Sequence, residues 1–575
     1  VRMQSAIAHA VREIERADGT RVDIDSRPLD DARTFELIRS TRTLGCFQIE
    51  SPGQRELLGK FAPEEFADLI IDISLFRPGP VKSDMVTPFL MARQGWQEPE
   101  YVHPDLEPIL RETYGVVVFH EQVLRIIAAM TGCSLAEADE CRRSMGSPDG
   151  QDDVRAWFYP TAVNHGYDLP TVDRVWEVLR AFASFGFCKA HAAAFALPTY
   201  QSAWLKAHYP AAFYAGILTH DPGMYPKRLL LDDARGHQVA VHGVDIHASF
   251  DVYRVEGTGI RIPLTEVAGI SEAEVEAIMR ERPFVSMADA FQRARLSRPT
   301  AENLVTIGAF DSVHPSPVTR RDLLLQVAEL DRHASNKRTD AQLSLDLLGD
   351  DLVDVPRTGL PDMAVSEKVR AEMSLLGLDV SAHVVDFYKD LLREIKAVPA
   401  KDLLAQRSNA QVWVAGVKVA IQSPPVRSGR RVIFVTLDDS TGPVDAAFFD
   451  DVQEHYSTTL FGSWLLVVRG QLRRSGPKGV SMRATGCWDL GQVRALWKSE
   501  GIEAVRALLT ADPLESTAAE QAGPSKVLVH ASGFRQSPYA DIAPAGIPVD
   551  RPAAQAPIQQ APSKLWHSSP GASGW

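Results

Sequence analysis

The chain has 575 residues, 45% hydrophobic and 23% charged, with a formal net charge of −13. That length can carry several domains with real cores, while the acidity excludes a protein that coats nucleic acid indiscriminately, because such binding runs on phosphate neutralisation and counterion release. Cys46, Cys133, Cys141, Cys188 and Cys487 form no C-x-x-C pair, which argues against a disulfide framework or cysteine zinc site and fits a reducing cytoplasm; no apolar run approaches the roughly 18 to 20 residues that span a bilayer, so no membrane association is expected.

The chain opens on Val1, not Met, and runs straight into a helical pattern with Met3, Ile7, Ala10 and Ile14 on one face, as expected of a sequence that starts inside a longer coding region. Residues 1–250 are dense in apolar and aromatic side chains, with helical spacing at Val172, Val175, Trp176, Leu179 and Phe182; one large helical domain is expected. Residues 255–332 read as two small helical hairpins, the first around V-A-G-I-S (267–271) and the second near I-G-A-F-D (307–311). Residues 333–352 begin polar, as an exposed linker does, and lead into Q-L-S-L-D-L-L, with a mixed connecting region over 353–410.

From 411 to 490 the character changes. Runs such as Q-V-W-V-A-G-V-K-V, R-V-I-F-V-T-L-D-D and W-L-L-V-V-R-G-Q-L are β-branched and split by Gly, Ser and Pro turns, which predicts five short strands closed into an OB barrel. A C-terminal extension covers 491–575, and its Ala, Pro, Ser, Gly and Gln composition predicts disorder from about 512. The expected fold is therefore multidomain and mainly α, followed by a small all-β barrel and a disordered tail.

The chemistry concentrates in F-R-P-G-P (76–80), T-Y-G-V-V-V-F-H-E-Q-V (113–123), E-C-R-R-S-M-G (140–146), F-G-F-C-K-A-H-A-A-A-F-A (185–196) and Y-Q-S-A-W-L-K-A-H-Y-P (200–210). These place Arg77, Arg142, Arg143, Lys189 and His191 in apolar, aromatic surroundings, where an unpaired charge is costly. Either a local carboxylate such as Glu121 or Glu140 meets them, or an outside anion does.

In this order, and with L-G-C-F-Q-I-E-S (44–51), the motifs resemble the fingers of the bacterial C-family DNA polymerases, the polymerase III alpha subunit and its error-prone paralogue, over about residues 1–490. The resemblance implies that Arg142, Arg143 and Lys189 bind the triphosphate of an incoming deoxynucleoside triphosphate, with Arg77, Gln122 and His191 as further candidates. One departure is that S-P-D-G-Q-D-D (147–153) stands where the family has further lysines.

The family's chemistry needs two Mg2+ ions held by palm carboxylates. V-D-I-D (22–25) has suitable alternation, but its context resembles the loop joining palm to fingers, so Asp23 and Asp25 read as loop acids. The palm acids and the N-terminal polymerase-and-histidinol-phosphatase domain are expected upstream of Val1; no catalytic residue and no metal are assigned to this chain, and alone it is expected to be inactive. Gly269 and Ser271 resemble a helix-hairpin-helix turn whose N–H groups meet DNA phosphates without reading sequence.

In the barrel, Trp413, Phe434, Phe448, Phe449, Arg469 and Lys478 mix aromatics with cations, and Arg430, Arg431, Arg473 and Arg474 lie beside turns as candidate contacts to primer-template DNA. The function implied is template-directed DNA synthesis of the error-prone type; the alternative is a non-catalytic DNA-binding or clamp-tethering protein built from polymerase parts.

Gln342, Leu345 and Leu347 resemble the short Gln-and-Leu motif with which bacterial polymerases plug into the sliding clamp, one polar anchor and spaced leucines on a tether. Changing all three to Ala is expected to abolish binding to the clamp while leaving thermal melting unchanged, since exposed linker residues contribute little to folding. Unchanged affinity in a clamp-binding assay removes the motif from the account.

Overall fold

The computed structural model describes residues 2–75, 86–182, 187–339, 355, 357–423, 432–474 and 480–511. Arg77, the clamp-like residues Gln342, Leu345 and Leu347, the barrel residues Arg430, Arg431 and Lys478, and the tail expected to be disordered from about 512 lie outside the described residues.

The N-terminal half is helical. Arg2–Asp18 buries Met3, Ala6, Ile7, Ala10 and Ile14, the face its spacing predicts, against the apolar helix Pro210–His220. The two backbones approach so closely that a Cβ at Gly216 would collide with the Ala6 carbonyl oxygen. Lys189–His208 runs through the middle, with Thr199 to Ala207 buried, and packs on Ala32–Arg39 and Phe66–Leu75. A second core gathers Leu106, Val123, Ile127, Phe158, Trp176 and Leu179 from residues 104–182, where the periodicity at 172–182 locates it.

A buried ion pair fixes the first core. Lys206 Nζ donates to Leu44 O at 2.7 Å and to Asp233 Oδ2 at 2.6 Å, and Tyr214 Oη donates to the same oxygen at 2.6 Å. Burial would push Asp233 up, but Lys206 and its other donors bring it below the usual carboxylate range.

A small sheet follows, with β1 (Ala240–His242) parallel to β3 (Gly259–Arg261) and β2 (Arg254–Glu256) antiparallel to it. The two helical hairpins use Glu272–Glu281, Met287–Arg293, Arg298–Thr306 and Arg320–Thr339, and their buried residues join the first core. Residues 333–339, polar enough to read as the start of a linker, continue that last helix: H-A-S-N-K-R-T holds no Gly or Pro to break the backbone ladder.

The barrel is closed in the order β4-β5-β6-β8-β7, with β4 Gln411–Gln422, β5 Ile433–Asp438, β6 Pro443–Phe448, β7 Leu465–Arg474 and β8 Val480–Asp489. Asp450–Gly462 forms a helix between β6 and β7. Strand alternation fills the interior with Val412, Val414, Val435, Leu437, Phe448 and Leu466, and two helices, Leu490–Glu500 and Ile502–Thr510, cover one side. The structure is thus mainly helical with one small all-β barrel.

Asp233→Ala is expected to cost roughly 3–5 kcal/mol, because it leaves the Lys206 ammonium buried without its counter-charge. Lys206→Met combined with Asp233→Ala should recover part of that loss, since the desolvated charge itself is gone; urea unfolding of the helical body measures both.

Candidate nucleotide and nucleic-acid interface

Two helix N-termini meet at a cleft of about 330 Å³, which lies between Glu112, Phe119, Glu121, Arg125 and Lys189. The chain is brought there by a parallel bridge between Phe119 and Phe187. Gln122 shapes the turn: its Oε1 accepts from the Val118 and Phe119 N–H groups at 2.8 and 3.0 Å, and its Nε2 donates to Thr113 Oγ1 at 2.8 Å and Ile109 O at 3.4 Å. All four hydrogen-bonding places of the amide are used and the side chain is buried, so Gln122, grouped with the candidate triphosphate ligands, builds the cleft and has nothing left for a ligand.

Lys189 opens its helix, and Glu121 receives its backbone N–H at 3.0 and 2.9 Å. Burial raises the pKa of Glu121, but the Lys189 N–H and the Cys188 thiol outweigh it and hold the group below its ordinary value. The Lys189 ammonium donates to Glu112 Oε2 at 2.6 Å and lies 5.4 Å from the Phe119 ring centre. His191 is exposed, its ring 5.2 Å from Phe187 and 4.4 Å from Phe195, which stacks in turn on Phe47.

Arg142 and Arg143 stand on the last turn of Leu135–Ser144 and do not line this cleft. Asp139 serves both: Arg142 Nε and Nη2 donate to its Oδ1 at 3.0 and 2.9 Å, and Arg143 Nη2 lies 2.6 Å from its Oδ2. The local carboxylates are thus Asp139 and Glu112, not the anticipated Glu121 and Glu140. Two of these cations reach solvent, since the Arg143 side chain is 73% exposed and that of Lys189 42%, whereas Arg142 is partly buried. Long stems lie along apolar surface while the charged heads stay in water, which apolar neighbours in sequence do not reveal. The lysine-poor stretch S-P-D-G-Q-D-D starts the helix Pro148–Asn164, capped by Ser147, where acids suit the positive helix end.

In the first hairpin Gly269 has φ +81°, a conformation that favours glycine. Ser271 is less open than the resemblance implies. Its N–H donates to Glu274 Oε2 at 3.0 Å and its hydroxyl to the same oxygen at 2.8 Å, while Glu272 adds a second acid to the first turn. The helix end already has its negative charge. Glu274 Oε1 also accepts from Ser297 N–H at 2.9 Å at the start of the second hairpin helix, so one carboxylate ties the pair together. In the second hairpin Arg320 fills the space beside Gly308 and pairs with Asp311, a structural arrangement.

On the barrel Trp413 packs 5.6 Å from Trp488, with the Arg469 guanidinium over both rings, and Arg469 Nη1 donates to Leu509 O. Trp413 and Arg469, candidates for stacking and phosphate contact, are thereby partly covered on the side of the C-terminal helices, and Phe448 is core. Arg473 is exposed towards the end of β7, and Arg474 is its last residue. Asp23 and Asp25 lie in a turn, where Asp23 Oδ1 accepts from the Asp25 N–H and Asp25 Oδ1 from Gln201. Among the described residues no helix is long and apolar enough to cross a membrane.

Sequence reading missed Glu112 and Arg125. Arg125 falls one helical turn after Glu121, so periodicity could have found it. It also missed a buried group of Asp232, His383 and Asp438, which are distant in sequence and carry no spacing signal.

A helical body with paired hairpins and an OB barrel is the build of a DNA-binding protein. The family model described as the bacterial DNA polymerase III alpha subunit finger domain matches residues 3–166, a helix-hairpin-helix motif matches 238–323, and an OB-fold nucleic acid binding domain matches 412–490. The chain is a relative of the bacterial C-family DNA polymerases. It is 35% identical over 498 residues to an error-prone DNA polymerase of Symbiobacterium thermophilum, covering 79% of this chain and 46% of the relative. An error-prone DNA polymerase of Nocardia farcinica is 33% identical, covering 82% and 42%, and a DNA polymerase III subunit alpha of Pasteurella multocida 32%, covering 78% and 41%. The chain spans less than half the length of these relatives.

The hairpin tie gives a pH test. Burial raises Glu274, but the Ser297 and Ser271 N–H groups and the serine hydroxyls bring it down to about 2. A depressed carboxylate adds stability above its unfolded pKa and loses it as pH falls through the folded one. Stability of the hairpin unit should therefore fall between about pH 4.5 and about pH 2, and Glu274→Gln should flatten that slope. An equal slope in acid unfolding of both proteins refutes the tie.

Proposed function

We propose that this chain supplies the incoming-nucleotide and DNA-binding parts of a template-directed DNA polymerase of the error-prone type, acting in DNA repair or damage tolerance in the cytoplasm. The observation that carries the reading is the Lys189–Glu112 pair at the cleft. An exposed pair contributes at most about 1 kcal/mol, so a triphosphate can take the ammonium from Glu112 at little cost. Arg142 and Arg143 share one carboxylate between two guanidiniums, and their forks suit phosphate oxygens. Exposed His191, in its aromatic row, offers a flat partner beside the same helix end, and Arg77 is a further candidate for the triphosphate.

In this reading the protein's share of catalysis is electrostatic. Lys189 and the two arginines hold charge as it moves onto the leaving pyrophosphate; Mg2+, which this reading assigns to carboxylates outside this chain, would supply further electrostatic stabilisation when bound. The hairpin unit with Gly269 and the barrel with Arg430, Arg431, Arg473 and Arg474 track primer-template DNA through its backbone, and residues 342–347 tether the sliding clamp. The error-prone role is supported by F-Q-I-E-S, V-K-S-D-M-V-T-P-F-L and W-F-Y-P and by the names of the relatives from Symbiobacterium and Nocardia.

In a polymerase extended to the length of its relatives, Lys189→Ala or Arg143→Ala should slow nucleotide addition roughly 10² to 10³-fold, by analogy with losing one preorganised donor. Affinity for primer-template should barely change. Weaker DNA binding with an altered salt slope, and normal addition at saturating DNA, would instead assign these side chains to the DNA track.

A further inference from the structure

The helix Lys227–Gly236, the segment 379–385 and the end of β5 meet at a buried ionic site that the nucleotide cleft does not use. Arg228 grips Asp379 with two bonds, Nε to Oδ1 and Nη2 to Oδ2, both 2.7 Å. Arg235 Nη1 donates to Asp232 Oδ1 at 2.5 Å, and its Nη2 to Asp379 O at 2.9 Å. His383 Nε2 lies 3.4 Å from Asp232 Oδ2, 3.4 Å from Asp438 Oδ2 and 3.0 Å from Arg228 Nη2. The side chains of Asp232, His383 and Asp438 are 5%, 3% and 0% exposed, and the Trp464 ring lies 5.3 Å from the Arg228 guanidinium. Neighbouring Asp439 is held by the Ala400 and Thr441 N–H groups.

Two guanidiniums thus face three carboxylates, Asp232, Asp379 and Asp438, which leaves one negative charge uncompensated in a buried place, a costly arrangement. One added positive charge would balance it. A metal ion is a poor candidate although the three ligand atoms lie within 4.8 Å of one another. The Val385 N–H donates to His383 Nδ1 at 3.1 Å, and the Arg228 guanidinium, which can only donate, lies against Nε2, the atom a metal would need. The guanidinium beside Nε2 would also repel a dication. A proton fits: shared among Asp232, His383 and Asp438, whose polar atoms meet here, it removes the surplus charge without adding a second one.

We propose that this cluster is a one-proton latch that positions the barrel on the helical body, closed when Asp232, His383 and Asp438 hold one proton beyond the neutral imidazole and weakened when that proton leaves. A second ionic contact with the barrel among the described residues, Arg55 Nη2 to Asp445 Oδ2 at 2.7 Å, matches one charge with one and carries no surplus. Burial first, then Asp438, push Asp232 up to about 8. Burial opposes a charge on His383, but Asp438, Asp232 and Asp379 outweigh it and raise that group too. Both shifts keep the proton in place at neutral pH. A docked pKa above the undocked one gives stabilisation that is full below the ordinary aspartate value and is lost as pH rises through the docked value. Docking should therefore weaken by up to about tenfold per pH unit until about pH 8.

Hydrogen exchange of the whole chain, followed by mass spectrometry and corrected for the intrinsic pH dependence of exchange, tests this. Amides of 379–388 and 433–438 should lose at least about tenfold in protection between about pH 6.5 and about pH 8.5, while those of Pro210–His220 stay unchanged. Asp232→Asn, which keeps a donor but no charge, should retain protection at the higher pH and flatten the dependence. If Pro210–His220 shows that this variant is misfolded, Asp438→Asn removes the same surplus charge and takes its place. Equal protection of the native chain at both pH values, or a charge-neutral variant as pH-sensitive as the native chain, would overturn the latch. Loss of protection on adding EDTA would overturn it in favour of a metal.

Discussion

Two adjacent carboxylates on the helix Lys227–Gly236 hold the molecule together in different directions. Asp233 takes the buried Lys206 ammonium and the Tyr214 hydroxyl, which locks the helix to the long central helix and to the backbone at Leu44. Asp232 faces Arg235, His383 and Asp438, and with Arg228 and Asp379 joins the connecting segment and the barrel to the same helix. Successive helical residues point about 100° apart, so a D-D pair can serve two partners at once. Each desolvated charge must then find its counter-charge, and that requirement limits how these elements can sit.

The central helix carries this constraint to the cleft. Its C-terminal part is fixed by Lys206, while its first residue, Lys189, is exposed and held by acids of neighbouring elements. A buried pair in a low-dielectric core is costly to break, whereas an exposed pair exchanges readily. One helix therefore offers a rigid end that positions and an open end that can bind. This also reconciles a net charge of −13 with the anionic ligand proposed for the cleft, because a few cations sharing few acids set the local field whatever the total.

Much of the architecture was legible in the sequence, and the reasons are specific. Met3 to Ile14 and Val172 to Phe182 have helical spacing that only one buried face satisfies, and the β-branched runs after 411 have turns where the barrel has its ends. The cleft was legible only in part. Lys189 could be singled out from its motif, but Gln122 looked like a ligand when its amide was needed by the turn at Val118 and Phe119. Trp413 and Arg469 looked like a nucleic-acid surface because the covering helices lie beyond the strands in sequence. Tertiary partners decide such cases, and local patterns do not contain them.

The barrel shows what that costs and what it leaves open. In OB folds the second and third strands commonly form the face that meets an oligonucleotide; here those strands are β5 and β6, whose Asp438 and Asp445 are engaged with His383 and Arg55 of the helical body. Carboxylates suit a protein partner that brings guanidiniums and would repel a phosphate backbone. Among the described residues of the barrel strands, Arg473, near the end of β7, is an exposed cation. In this chain part of that face is a joint with the helical body, so in the proposed reading a nucleic acid is met from the barrel's end.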